Sequence, residues 1–109
     1  MNTMQNAMTM LFKHGKASMS TAELCEISAL TEHAWNEASY LADVCEGLAC
    51  TISSDAAQPG PGAGWFEDAD NACTLLCALA HSFDTIAAMA HVGDQATYYM
   101  NCRKVGEEA

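Results

Sequence analysis

A seven-residue repeat of apolar side chains is the feature that most constrains the fold of this chain. One row recurs every seven residues and consists of Ile27, Ala34, Leu41 and Leu48. A second row interleaves with it and consists of Leu24, Ala38, Cys45 and Ile52. This spacing favours an amphipathic helix with a seam suited to near-antiparallel packing. Because Ser20 and Glu23 form a capping-box pattern at its start, the sequence predicts a long helix over 21–53.

A second long helix is predicted further along the chain. Its main seam consists of Ala69, Leu76, Phe83 and Ala90, reinforced by Ala72, Leu79 and Ile86. Acidic side chains occupy its first turns, where the helix dipole favours anions. Gly93 is typical of a helix end, so we predict this helix over about 65–92.

Two shorter helices complete the predicted fold. Helical spacing of apolar residues before Gly15 predicts a first helix over 3–14, and Asp94 can cap a last one over 95–104. The segment 53–64, with its prolines and glycines, is predicted to be a flexible loop. We therefore expect a single all-α domain over 1–109: four helices, with a long antiparallel αα-hairpin and two short flanking helices. Two such hairpins pairing into a dimeric bundle is the alternative arrangement.

The charge distribution restricts the kind of partner. Fourteen Asp and Glu residues face four Lys and Arg, for a formal net charge of −10. Between Ala17 and Cys102 there are twelve acids and no Lys or Arg. Such a region cannot bind nucleic acid directly by neutralising phosphates. It should instead attract a basic protein surface.

The six cysteines are expected to be reduced thiols. The first dozen residues lack a basic segment followed by a continuous apolar stretch, so we expect a cytoplasmic protein whose cysteines act as small buried hydrophobes. The longest run without a formal charge, from Asn71 to Phe83, is shorter than a bilayer-spanning helix. We therefore expect no membrane segment.

Cys73, Cys77 and His81 stand at intervals of four, as metal ligands on one helix could. Thiolates with an imidazole suit Zn²⁺ or Cu⁺, and the pattern resembles the Cys-x3-Cys ladders of helical copper-storage proteins. The predicted seam points about 80–120° away from the two cysteines, on the flank of the core, where small side chains fill gaps between helices. We interpret them as packing residues and expect no metal or cofactor. A soft-metal or thiol-redox site at the three residues is the alternative.

The histidines give no catalytic pattern. His14, His33, His81 and His91 are scattered, and no flanking signature supports a Cys–His nucleophile. We therefore expect a protein that is not an enzyme.

The candidate binding residues are acids beside aromatic anchors. The acids are Glu32, Asp43 and Glu46, opposite the first seam, with Glu67 and Asp68 at the start of the second long helix. Trp35 and Trp65 are the candidate anchors, since buried aromatics carry much of the binding energy at interfaces. Trp35 could instead cover the short helices.

These features predict a small acidic binding protein that occupies a basic surface of a nucleic-acid-handling complex. It is similar in type to phage-encoded inhibitors such as anti-CRISPR proteins, and that resemblance implies an inhibitor or a partial DNA mimic. A homodimeric helical adaptor is a further alternative.

Overall fold

The computed structural model describes residues 3–56 and 68–108, of which 96% are helical and none form a strand. The helices are α1 (Thr3–Gly15), α2 (Thr21–Ser28), α3 (Leu30–Ala56) and α4 (Ala69–Glu108), with a 3-10 turn at Lys16–Ser18. This confirms the all-α class. The predicted first helix is confirmed within one residue, and so is the start of the second at Thr21, but the other predicted helix bounds within the described residues are wrong.

The predicted helix over 21–53 is interrupted at Ala29. Its predicted start is confirmed, because Ser20 and Glu23 make both hydrogen bonds of the capping box. The Ser28 hydroxyl donates to the carbonyl of Cys25 at 2.6 Å, where it competes with the helical backbone ladder. The N–H of Ala29 is shared among three carbonyls instead of making one regular bond. The chain therefore ends α2 there and restarts as α3, which continues to Ala56, past the predicted start of the loop.

Gly93 does not end a helix, contrary to the sequence prediction. Residues 69–92 and 95–104, predicted to belong to two helices, are parts of one continuous α4. The predicted helix start at 65 and the predicted loop residues 57–64 lie outside the described residues. Gly93 is buried, and a Cβ added there would lie 2.6 Å from the backbone nitrogen of Thr31. The glycine therefore permits a close approach between α4 and the start of α3.

The chain divides into two compact units. The larger unit consists of Met1–Glu37 and Asp84–Ala109, and the smaller unit is Ala38–Phe83. The core of the larger unit is formed by Phe12, Leu24, Val92 and Ala96, which partly buried methionines and Tyr99 surround. Every fully buried residue in the described ranges belongs to the larger unit.

The seam predicted for the first long helix is largely confirmed. Ala34 is buried, and Leu41, Cys45 and Leu48 are half-buried on α3. Ala38 and Ile52 are exposed, so the second row is only partly covered.

The main seam predicted on the second long helix is wrong. Of its four members, Ala69, Leu76 and Phe83 are exposed and Ala90 is half-buried. The reinforcing positions Ala72, Leu79 and Ile86 are all half-buried. The side of α4 that packs is therefore rotated away from the predicted one.

The continuity of α4 also changes its apolar length. By length and composition alone, Ala69–Gly106 could cross a membrane, with a mean hydropathy of 1.4 in its most apolar window and 6% of that window buried. One such helix is by itself weak evidence for a membrane segment. The charge-free run used in the sequence argument was shorter because it ended at Asp84.

Candidate functional site

Three of the predicted binding acids extend from α3 into solvent. Glu32, Asp43 and Glu46 are exposed, and none of their carboxylates forms a hydrogen bond or ion pair with residues 3–56 or 68–108. Asp43 and Glu46 lie between the half-buried Leu41 and Leu48 of the seam, on the other side of the helix. Glu32 belongs to the larger unit, and Asp43 and Glu46 belong to the smaller one.

Trp35 is the most exposed large apolar side chain in the described ranges. Its side chain is 79% exposed, so it does not cover the short helices. It lies three residues after Glu32 on α3, and side chains at this spacing are neighbours on a helix surface. An indole and a free carboxylate are therefore presented together on the larger unit.

Asp68 has a structural role that the sequence analysis did not assign. Its carboxylate accepts a hydrogen bond from the backbone N–H of Asp70 at 2.9 Å, which satisfies a donor at the start of α4. Trp65 and Glu67, the other candidates at this point, lie outside the described residues.

Several further acids are satisfied by hydrogen-bond donors other than Lys or Arg. Asp84 accepts from the backbone N–H groups of Met4 at 2.8 Å and Gln5 at 3.5 Å, at the start of α1. Asp94 accepts from the Thr31 hydroxyl at 3.3 Å. Helix N-termini carry partial positive charge, so they stabilise carboxylates without a cation. Part of the base-free interval is thereby explained by internal structure. No local sequence signal predicts this role of Asp84, because its partners lie about 80 residues earlier in the chain.

Glu23 shows the same effect in its ionisation. Hydrogen bonds from the backbone and side chain of Ser20 lower the pKa of the Glu23 carboxyl below its ordinary value of 4.5. This acid is thus a helix cap and not part of a binding surface.

Two of the four basic residues are engaged within the larger unit. The Arg103 guanidinium donates to the carbonyl oxygen of Met19 at 2.8 Å, next to the 3-10 turn. Arg103 and the ammonium of Lys16 lie 5.1 and 5.2 Å from the centre of the Tyr99 ring, within cation–π range. These bases therefore stabilise the fold and do not neutralise the acids of α3.

Cys73 and Cys77 are exposed and not packing residues, which corrects the sequence interpretation of these two cysteines. Cys73 and Cys77 are exposed, as are Cys25, Cys50 and Cys102, and only Cys45 is half-buried. The exposure of Cys73 and Cys77 agrees with the packed side of α4, which includes Ala72, Leu75 and Leu79 instead. His81 is also exposed, and residues 3–56 and 68–108 contain no group of three or more potential ligands placed to hold a metal ion. The soft-metal alternative gains no support from this arrangement.

A shallow cavity lies near the end of α3. It has a volume of about 430 Å³ and is lined by Cys50, Thr51, Ser54 and Asp55. One oxygen of Asp55 is buried there without a hydrogen-bond partner in the described residues. Its described lining residues offer a carboxylate, hydroxyls and a thiol, and none of these described residues is a histidine or an amine that could exchange protons with them.

Comparison with known proteins identified no relative of this chain. No protein-family model matches it, no curated protein matches it, and no solved structure matches it. The function is therefore inferred from the geometry and electrostatics of this chain alone.

Proposed function

We propose that this protein is a non-enzymatic binding protein that occupies a basic surface of a nucleic-acid-handling complex. The observation that supports the proposal is the exposure of three acidic side chains on α3, Glu32, Asp43 and Glu46. These carboxylates are exposed and have no partner in the described residues, within a stretch of sequence that has no Lys or Arg from 17 to 102.

The electrostatics favour a protein partner over nucleic acid itself. A chain with a formal net charge of −10 repels phosphates and attracts clustered arginines or lysines. An inhibitor that covers an arginine-lined channel would exclude nucleic acid from it. The charges on this chain are sparser than the phosphates of duplex DNA, which carries about one charge per 1.7 Å, so any mimicry is partial.

Trp35 would anchor the complex. A tryptophan that loses its water on binding is typical of interface hot spots, and the adjacent Glu32 can pair with a cation at the rim of the same contact. The exposure of Trp35 supports this role, because an indole that covered the short helices could not reach a partner.

The finer architecture is part of the proposal. We propose that residues 38–56 of α3 and 69–83 of α4 form an antiparallel αα-hairpin. Half-buried apolar positions on both segments support it: Leu41 and Leu48 on α3, and Leu75 and Leu79 on α4. We also propose that the protein is located in the cytoplasm.

The test begins with an affinity pull-down from the native host, followed by a salt titration with the captured partner. Capture alone does not support the proposal. We expect affinity to fall steadily between about 0.05 and about 0.5 M salt, because screening weakens contacts between exposed charges. Affinity that is indifferent to salt would contradict the proposal.

Matched charge variants separate a specific surface from bulk charge. We expect Asp43→Asn with Glu46→Gln to weaken binding by about tenfold, and Glu26→Gln with Glu37→Gln to change it little. Both double variants remove two negative charges from exposed positions. Equal losses in the two variants would show that net charge acts alone, and the assignment of the α3 acids would be rejected.

The anchor has its own control. Trp35→Ala is expected to weaken binding by about thirtyfold or more, whereas Tyr40→Ala, at another exposed aromatic on α3, should have a much smaller effect.

A further inference from the structure

A row of apolar side chains on α4 faces solvent in the smaller unit. This α4 row consists of Ala69, Cys73, Leu76, Ala80 and Phe83, and all five residues are exposed. Leu76 and Phe83 are 66% and 55% exposed, and no member carries a formal charge. Exposed apolar surface of this kind is characteristic of interaction sites.

The spacing of the row fits another helix. Its members are separated by four, three, four and three residues, which are the alternating steps of the a and d positions of a heptad. Side chains at these positions insert between those of a facing helix. The row is distinct from the half-buried side of α4, which includes Ala72, Leu75 and Leu79.

The smaller unit has reason to acquire such a partner. None of its described residues is fully buried, whereas the larger unit has a core of buried side chains. Helices in proteins owe most of their stability to the packing of an apolar face, so an uncovered apolar row is stabilising only when something packs on it.

We infer that the α4 row docks on the same row of a second copy of this chain. Small and large members alternate from Cys73 to Phe83. An antiparallel pairing about a twofold axis level with residue 78 would place each large side chain opposite a small one. Phe83 would face Cys73 of the second copy, and Leu76 would face Ala80. Each copy thus supplies both the large side chain and the gap that receives it, as an isologous interface requires.

The charge of the molecule sets the salt dependence of this dimer. Two copies that each carry a formal net charge of −10 repel one another, while the row that joins them is uncharged. Salt screens the repulsion and leaves the apolar contact, so dimerisation should strengthen as salt rises. Binding to a basic partner should weaken under the same change, so the failure of one proposal is distinguishable from the failure of the other.

The contact is small, and the dimer should therefore be weak. Four side chains larger than Ala or Cys, two from each copy, dominate the contact and must offset the lost freedom of association. We expect a dissociation constant between about 10 and about 500 µM.

Sedimentation velocity across about 5 µM to 1 mM of the full chain tests the inference. The buffer contains a reductant, because exposed thiols could otherwise link copies by disulfides. We expect a concentration-dependent shift from monomer to dimer.

Leu76→Glu and Ala80→Glu should each raise the dissociation constant by tenfold or more, while Val44→Glu should not. Val44 is a matched control, because it is a 53% exposed apolar residue of the same unit that lies on α3. Circular dichroism confirms that each variant keeps its helices.

Three outcomes would overturn the inference. The first is a monomer at every concentration, and the second is equal weakening by Val44→Glu and Leu76→Glu. The third is a monomer that floats with phosphatidylcholine vesicles and loses that property in Leu76→Glu, since the row would then be covered by lipid.

Discussion

Gly93 illustrates how one residue can give two different signals. In the sequence it resembles the glycine that follows a helix, but in the structure it is a buried helical residue beside Thr31. The lack of a side chain serves a close approach of two helices and not a left-handed turn. A sequence pattern does not distinguish these uses, because both require only the absence of Cβ.

We expect Gly93→Ala to lower the free energy of unfolding by about 1–3 kcal/mol, as overpacking does. Alanine would gain about 1 kcal/mol of helix propensity, but its methyl group would meet the backbone of Thr31 and Leu30, which cannot rotate away. Urea denaturation followed by circular dichroism measures the change.

Gly47 provides the matched control, because it lies within α3 and an added Cβ meets no atom within 4 Å. Gly47→Ala should therefore raise the free energy of unfolding by about 0.5–1 kcal/mol. Shifts of the same sign in the two alanine variants would contradict the close approach at Gly93.

At the scale of elements, the local capping signal at Ser20 predicted a helix start correctly, whereas the predicted end at Gly93 and the predicted new start at 95 are wrong. The capping box of α2 is formed as the sequence predicts, because Ser20 and Glu23 are three residues apart and need no distant partner. The break at Ala29 and the passage of α4 through Gly93 were both missed. Each depends on competition between the regular backbone ladder and another contact, which residue spacing does not reveal.

The capping box predicts a pH effect confined to acid. The pKa of Glu23 is lowered in the folded state by its hydrogen bonds with Ser20, so its contribution to stability is present above the unfolded pKa near 4.5. That contribution is lost as the pH falls through the lower, folded pKa. Glu23→Gln should therefore be less stable than the native chain at pH 6, and the difference should shrink below about pH 4.

Free energies of unfolding measured between about pH 3 and pH 6 test this effect. Glu26→Gln, on the same helix but without a capping bond, is the matched control for the loss of one carboxylate. A constant difference between Glu23→Gln and the native chain over this range would rule out the ionised cap.

For the whole molecule, the distribution of burial is the main result. The core lies in the larger unit, where α1, α2 and the end of α4 meet, and no described residue of the smaller unit is fully buried. The sequence suggested the opposite, since its heptad rows are most regular in the long helices. Regular apolar spacing identifies a face that can pack, but it does not specify how much of that face is covered.

This distribution predicts unequal local stability. We expect amide hydrogens in 38–56 and 69–83 to exchange at least about tenfold faster than those in 86–100, because few buried contacts oppose local opening there. Hydrogen exchange with mass spectrometry on a dilute sample, below the expected dimerisation range, measures the difference. Equal protection of the two units would contradict the assignment of the core.

The sequence by itself determined the helical class, the start of α2 and most of the packed side of α3. It also determined the exposure of the α3 acids Glu32, Asp43 and Glu46. Those features depend on residue spacing within one helix and on charges that have no nearby partner in sequence. Only the tertiary structure decided which row of α4 is covered and that Gly93 lies where a side chain would meet Thr31. Only the tertiary structure, too, shows that Asp84 accepts hydrogen bonds from the backbone N–H groups at the start of α1. The reason is that two helices can meet at several rotations with similar local patterns, and the contacts that select one rotation join residues far apart in the chain.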